Sequence, residues 1–539
     1  MTEQYVIGVD VGTGSARAGV FDLKGRLIAT AKQDIKMFTQ QGEARYEQSS
    51  SDIWQSVCYS VRAAVEHAQI APESIIGLSF DATCSLVVLD QDGQPLTVGE
   101  HQDHDRNVIV WMDQRAVQQA HFINETKHSV LDYVGGTISP EMETPKLLWL
   151  KQNLPDTYHR AGYFFDLTDF LTWKATHSFA RSVCTVVCKW TYLAHENKWD
   201  ESYFRTIGLD ELVEDNFNKI GFQVVRPGTP LGNGLSQQAA SELGLPEGTP
   251  VAAGLIDAHA GAVGSIGAVN SEGRADPVGS MAYVFGTSAC TLTSSYEPKS
   301  VKGVWGPYFS AMLPEMWLNE AGQSAAGAAM DQLISMHPAY HSAQQRAEEL
   351  GVSLTSWLSA QVKDQIQDLS DAIQLVGPLI VVPEFLGNRA PFADPNAKAV
   401  IAGLTMDKSV DSLLSLYVAG ICGIAYGLRQ IIEAQNQSGL NIKRIVISGG
   451  AGQDPLIRQL IADATGIEVV GPESREPVML GSAMLAALAA KAFDSLPNAM
   501  TSMSRFAEVY SPNFEVVSLH ESKFRAFEKL QSVAREVAC

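Results

Sequence analysis

The stretch VIGVDVGTGSARAGVFD, residues 6–22, decides how the rest of the chain is read. An apolar run ends in Asp10, a turn of Gly12, Thr13, Gly14 and Ser15 follows, and a second apolar run leaves it. Glycines let backbone N–H groups come close to an anion and point at it, and the Thr and Ser hydroxyls add donors. Asp10, at the end of the first run, stands where a carboxylate could hold Mg²⁺ directly or through water. The spacing is not that of a Walker A loop, G-x-x-x-x-G-K-[ST], and Arg17 occupies the place of a dinucleotide fingerprint's third glycine. If this loop holds phosphate, it does so without a P-loop lysine.

Working outward, YVIGVDVG, ARAGVFDL and RLIATAKQDI read as three strands joined by short glycine-containing turns. The stretch SSSDIWQSVCYSVRAAVEHAQ then places Ile53, Trp54, Val57, Val61, Ala64 and Val65 on one helical face behind a serine-rich cap. SIIGLSFDAT and SLVVLDQDG follow as strands. A parallel-only doubly wound sheet does not begin with a three-strand meander. The second half repeats the theme: MAYVFGTSACTLTSS (281–295) is strand, small turn, strand, and IKRIVISGGAGQDPLIRQLIADATGIEVVGP is strand, glycine turn, helix ended at Gly466, strand. VMLGSAMLAALAAKA opens a buried helix. Two related halves around a cleft are expected, with duplication as their origin. The boundary is set after GAVGSIGAVNSEG, giving domains 1–272 and 273–539. Three prolines in residues 381–398 predict a long loop. The amphipathic tail, FEVVSLHESKFRAFEKLQSVAREVAC, predicts a helix closing on the second half, with a homodimer contact as the alternative.

At 539 residues the chain exceeds one core. Its 39 basic and 60 acidic residues leave a formal charge of −21, which argues against nucleic acid or an anionic membrane as partner. The seven cysteines, at 58, 84, 184, 188, 290, 422 and 539, form no C-x-x-C pair and read as reduced thiols. Cys184 and Cys188 lack a neighbouring pair to complete a zinc site, and His101 and His104 lie in a polar loop, so neither group is read as a metal centre. No basic stretch precedes an apolar one at the start, and the longest uncharged run, PVGSMAYVFGTSACTLTSSY, is broken by Pro, Gly, Ser and Thr. The cytoplasm is the expected compartment.

The chemistry-bearing residues fall into four groups. Gly286, Thr287 and Ser288 in FGTSAC form a second small turn, and two such turns facing each other across a cleft would grip one nucleotide's phosphates. Gly449, Gly450, Ala451 and Asp454 in SGGAGQDP lie between strand and helix, where adenosine can rest on bare backbone. In GLIDAHAG, Asp257 follows an apolar run. It suits a base that accepts a proton from an attacking hydroxyl, and it suits a helix cap.

Taken in this order, DVGTGSAR, GLIDAHAG, FGTSAC and SGGAGQDP resemble the FGGY carbohydrate kinases, and the resemblance spans nearly the whole chain. It implies an α/β fold of two actin-like/ribonuclease H-like ATPase domains around a central cleft, with ATP and Mg²⁺ as cofactors. It implies Asp257 as general base, Gly12, Thr13, Gly14, Ser15, Arg17, Gly286, Thr287 and Ser288 on the phosphates, and Gly449, Gly450, Ala451 and Asp454 at adenosine. The adenosine turn of the family usually ends in Asn, and an Asp at 454 cannot donate to adenine as an amide does. SFDATCSLVVLD, NVIVWMDQRA and WLNEAGQSAAG resemble the ribulokinase branch. On that likeness Lys189 and Glu320 bind substrate, and Thr83, Asp113 and Arg115 are further candidates, although Asp113 and Arg115 also read as a solvated salt bridge. GVWGPYFSAMLPEMWLNEAGQS is closer to the subgroup acting on D-ribulose. The expected reaction is therefore transfer of the γ-phosphoryl group of ATP to O5 of D-ribulose, with closure of the two halves over both substrates. L-ribulose, D-xylulose and ribitol are the alternative acceptors. An actin- or chaperone-type switch ATPase would need neither Asp257 nor the large insertion at 84–250.

Overall fold

The computed structural model describes residues 3–39, 44–268 and 275–538. Two sheets share one strand plan. In the first, Tyr5–Val11 and Ser15–Asp22 form an antiparallel hairpin and Leu27–Asp34 extends it. On the other side Ile75–Ala82 and then Val251–Ile256 add in parallel. In the second, Ser280–Phe285 pairs antiparallel with Ala289–Ser295, which Trp317–Gln323 extends, and Arg444–Ser448 then Glu468–Pro472 add in parallel. The two cores match strand for strand, as a duplication requires. Trp305–Phe309 and Phe506–Tyr510 widen the second sheet at its two edges. The boundary near residue 272 lies outside the described residues.

The helix Ser50–Ala68 starts where Ser49 accepts a hydrogen bond from the Asp52 N–H at 3.3 Å. It buries Ile53, Trp54, Val57, Val61, Ala64 and Val65, the face expected from the sequence. The chain between the fourth and fifth strands of the first sheet supplies most of a separate small sheet, ordered Phe38–Thr39, Tyr46–Gln48, Val108–Ile109, Leu86–Asp90, Ala161–Asp166, and several helices, among them Val183–Trp190. In the second half Val410–Gln437 is long and apolar enough to cross a bilayer, but 72% of its most apolar window is buried inside the protein, where it serves as the core helix. The loop expected at 381–398 begins as strand, since Ile380–Val382 pairs with Val400–Ala402. The tail forms the helix Val517–Ala538, which buries Phe524 and Phe527 against the second half.

The helix Pro477–Ala489 follows the second sheet in sequence yet packs on the first, against Tyr5–Val11, Ile75–Ala82 and the helix Asp257–Ile266. Glycines allow this at backbone contact. A Cβ at Gly481 would lie 1.9 Å from the Ala260 carbonyl oxygen, one at Gly264 1.9 Å from that of Pro477, and one at Gly8 1.9 Å from that of Met479. Gly481→Ala is therefore expected to lower the unfolding free energy by about 1–3 kcal/mol through overpacking. Gly14→Ala, whose added Cβ meets nothing within 4 Å, should stay within about 0.5 kcal/mol. Denaturant midpoints of the two variants check this.

Candidate active site

Three parallel strands of the first sheet run out into aspartates: Val9-Asp10, Phe80-Asp81 and Ile256-Asp257. Asp10 stands directly opposite Asp81, and Leu255 pairs with Asp81 on its other side, so the three carboxylates gather at one end of the sheet. Ligand crevices open at the carboxyl ends of such strands. Asp81 is fully buried; burial and then the charge of Asp10 hold its carboxyl well above the ordinary aspartate value. The Ser482 hydroxyl donates to one of its oxygens, and the other, Oδ1, has no partner. Burial and then Asp10 push Asp257 up to about 6, although the Ala258 N–H donates to its Oδ1 at 2.7 Å. Asp257 is the first residue of its helix, whose N-cap Ile256 makes no side-chain cap bond; contrary to the expectation it does not cap the helix, and among the described residues its carboxylate meets only the Ala258 N–H. Arg17 is engaged within the first domain's end: it pairs with Asp10 and, at 2.9 Å, with Glu476 at the head of the Pro477–Ala489 helix.

The first small turn is closed by the Gly12 N–H donating to the Ser15 carbonyl at 3.0 Å. Trp111 Nε1, from the insertion, donates to the Thr13 hydroxyl at 3.0 Å, and Gln48, from the strand Tyr46–Gln48, donates to the Thr13 carbonyl at 2.7 Å. The Gly14 backbone faces open space. In the second turn the Gly286 N–H closes on the Ser288 carbonyl at 3.0 Å, and the carbonyls of Gly286 and Thr287 accept N–H groups from the start of the helix Gly327–Ser335. The third turn is held to the second: Gly449 has φ +93°, and a Cβ there would lie 2.3 Å from the Phe285 carbonyl oxygen. The outcome is a cavity of about 520 Å³ lined by Gly286, Thr287, Gly450, Ala451, Asp454 and Tyr417, among others. Asp454 caps the helix Pro455–Thr465 and pairs with Lys363 at 2.8 Å, so its carboxylate is already occupied.

On the other side of Asp257, Lys189 ends the helix Val183–Trp190 and Glu320 sits in the strand Trp317–Gln323. Burial opposes both charges, yet each favours the other: the charge of Lys189 holds Glu320 below the ordinary glutamate value, and Cys84 and Glu320 hold Lys189 well above the lysine value. Thr83 follows the strand Ile75–Ala82 directly, its hydroxyl 3.1 Å from that of Ser85. Asp113 and Arg115 are a correction to the sequence reading. They are fully buried, not solvated, and their groups are spent: Arg115 donates to Asp113, Glu47 and the Val98 carbonyl, and Asp113 also accepts from the Tyr46 N–H. Neither is left free for a ligand.

Sequence reasoning missed Asp81, although the repeated pattern of apolar residue, Asp, small residue would have found it. It also missed Glu476, Ser482 and His259, which are brought in by packing. The six cysteines among the described residues are free thiols, as expected. His101 is taken by Glu47 at 2.7 Å. Cys184 and Cys188, read as incomplete, gather a third donor from His259, the three ligand atoms lying within 4.8 Å of one another.

The chain belongs to the FGGY family of carbohydrate kinases: the family's N-terminal domain matches residues 5–264 and its C-terminal domain residues 281–490. It is 46% identical to an FGGY carbohydrate kinase domain-containing protein of Homo sapiens, over 99% of this chain and 97% of that one. It is 37% identical to a D-ribulokinase of Saccharomyces cerevisiae, over 94% of this chain and 76% of that one. A xylulose kinase from Rhodospirillum rubrum has the same fold, with a TM-score of 0.80 at 18% identity over 99% of this chain and 100% of that one. The fold is that of two actin-like α/β domains, and the protein is a sugar kinase that takes its phosphoryl group from ATP.

Asp81 yields a prediction on stability. An unfolded aspartate titrates near 3.9. Burial and the charge of Asp10 hold the folded Asp81 above that value, so the folded chain binds this proton more tightly than the unfolded one and stability falls as pH rises above it. Asp81→Asn removes this dependence and still accepts from Ser482. It should raise the unfolding free energy at pH 7 by about 1–3 kcal/mol, with the gain vanishing near pH 4. Denaturant unfolding of both proteins at the two pH values measures it.

Proposed function

We propose that this kinase phosphorylates a pentulose at its primary hydroxyl, and that the acceptor is D-ribulose, giving D-ribulose 5-phosphate. The observation that carries the reading is Asp257: a carboxyl pushed up to about 6 at the strand ends, within the field of Asp10 and of Lys189, which in turn favours the Glu320 carboxylate. A base of that strength is ionised at neutral pH and accepts a proton more readily than an ordinary aspartate. The 37% identity to a D-ribulokinase supports D-ribulose over its epimers and over ribitol.

In this reading adenosine lies in the cavity between Gly286 and Asp454, and its phosphates run toward the Gly12–Ser15 turn. Backbone N–H groups of the two opposed turns and the Arg17 guanidinium then take the place of a P-loop lysine. Asp10 would hold Mg²⁺, whose role is to draw off charge that builds on the phosphate oxygens. Oxygen donors at buried strand ends fit such a hard cation. Lys189 and Glu320 fix the far hydroxyls of the sugar, so the attacking oxygen meets Asp257 in line. Closure of the halves excludes water as a competing acceptor. The cytoplasm, where ATP and sugar phosphates are handled among reduced thiols, is the compartment we assign.

ADP release with Mg-ATP and D-ribulose, L-ribulose, D-xylulose, ribitol or glycerol tests the proposal. D-ribulose should give the highest kcat/KM, and Asp257→Asn should lower kcat by about 10²- to 10⁴-fold. A different preferred sugar overturns the substrate, and sugar-independent hydrolysis unchanged in the variant overturns the base. Because the base must be deprotonated, activity should fall as pH drops through about 6 and be full above it. Glu320→Gln and Lys189→Met should raise the sugar KM about ten- to hundredfold, the size of one lost charged hydrogen bond, and leave the KM for ATP close to wild type.

A further inference from the structure

We propose that Cys184, Cys188 and His259 form a binding site for one thiophilic metal ion, Zn²⁺ as the probe, with Glu320 as the fourth ligand. Cys184 and Cys188 lie one turn apart on the helix Val183–Trp190, and His259 comes from the first turns of the helix Asp257–Ile266. All three are buried, and their ligand atoms lie within 4.8 Å of one another. The Cys188 Sγ is 3.9 Å from His259 Nε2, and Glu320 Oε2 is 3.8 Å from the same nitrogen. Around tetrahedral zinc, with bonds of about 2.0 Å to nitrogen and 2.3 Å to sulfur, ligand atoms stand about 3.3–3.8 Å apart. The Cys184, Cys188 and His259 atoms need to draw in by up to about 1 Å, and Glu320 reaches the site from its contact with His259.

The ordinary alternative is a packed core in which cysteines act as small apolar groups and the histidine is satisfied. His259 fits it poorly. The residue is 1% exposed and its Nδ1 has no partner, while its Nε2 meets the Cys188 sulfur at 3.9 Å and the Glu320 carboxylate at 3.8 Å. The Cys184 sulfur accepts the Ile256 N–H at 3.5 Å, which leaves its other lone pairs facing the cluster. Three separate elements therefore bring donor atoms to one place. Two soft sulfurs and an imidazole select Zn²⁺ over Mg²⁺, so the ion that accompanies ATP would not occupy this place. Binding releases two protons to solvent; two thiolates and the Glu320 carboxylate around the ion leave one negative charge, beside the Lys189 ammonium that already favours Glu320.

The site adjoins the proposed sugar pocket through Glu320. An ion that takes this carboxylate withdraws it from Lys189 and from the substrate, so a bound metal would weaken sugar binding. That link rests on the reading of Glu320 as a substrate ligand; the binding of the metal does not.

The test uses the full-length protein stripped with chelator, loaded with Zn²⁺ in the presence of excess Mg²⁺, and measured for metal by mass spectrometry. Wild type and Cys58→Ser should hold one zinc per chain, and Cys184→Ser/Cys188→Ser and His259→Gln should hold none. Co²⁺ in wild type should show thiolate charge-transfer absorption and the visible bands of a tetrahedral ion. These readings on wild type decide the matter even if a variant folds poorly. Failure of wild type to hold zinc, absence of the thiolate band, or zinc retained by the double cysteine variant overturns the site. In turnover assays Zn²⁺ should raise the sugar KM of wild type about tenfold or more, as for one lost charged hydrogen bond, and leave that of the double variant unmoved. Metal bound without any effect on the sugar KM overturns the link through Glu320 and leaves the metal site standing.

Discussion

The backbone contact between the helices Asp257–Ile266 and Pro477–Ala489 is the constraint on which the rest depends. Gly264 and Gly481 remove the side chains that would hold these helices apart, and Gly8 does the same between the second helix and the first strand. The helix from the far end of the chain is thereby locked to the strand ends that carry Asp10 and Asp81. It brings two functional atoms with it. Glu476 holds Arg17 beside Asp10, and Ser482 donates to Asp81. A single packing decision sets the sequence-distant partners of the whole carboxylate group.

That group is under electrostatic tension. Burial, and then the charge of Asp10, raises the carboxyls of Asp81 and Asp257 at the adjoining strand ends. The tension is resolved differently at each. Asp10 takes the Arg17 guanidinium, Asp81 is buried with the Ser482 hydroxyl donating to it and its carboxyl raised, and Asp257 is left with one backbone N–H and a carboxyl poised near 6. Only the last presents a base that is both ionised and unneutralised at physiological pH. Burial first, and then the charge of Asp10, sets the basicity of Asp257.

Much of this was legible in the sequence because it is written in local chemistry. Hairpin turns need their glycines at fixed places, the Ser50–Ala68 helix announces itself by its apolar face, and Asp10 and Asp257 each end an apolar run. The duplicated plan followed from repeated strand–turn–strand pieces. What was not legible depends on contacts between distant segments. Nothing in the spacing of Asp113 and Arg115 distinguishes a solvated pair from one buried against Glu47, since the difference lies in what covers them. Cys184 and Cys188 look incomplete along the chain because their third donor, His259, arrives from another helix. Asp454 fits the adenosine turn by position, but its engagement with Lys363 is a contact across the domain.

The two halves, alike in strand plan, are specialised by what is inserted between their strands. The first half has a crowd of carboxylates at its strand ends and a large insertion that delivers Lys189 from one side and holds Thr13 through Trp111. The second half has no such carboxylates in its matching turn; its small residues leave a cavity of about 520 Å³. Negative strand ends repel a triphosphate, and bare backbone N–H groups accept one. In the proposed reading a nucleotide seats on the second half with its terminal phosphate carried toward the first, where Arg17 and a cation bound by Asp10 would offset the carboxylates. The repeated fold supplies two matching platforms, and in this reading the asymmetry of charge between them orients the nucleotide.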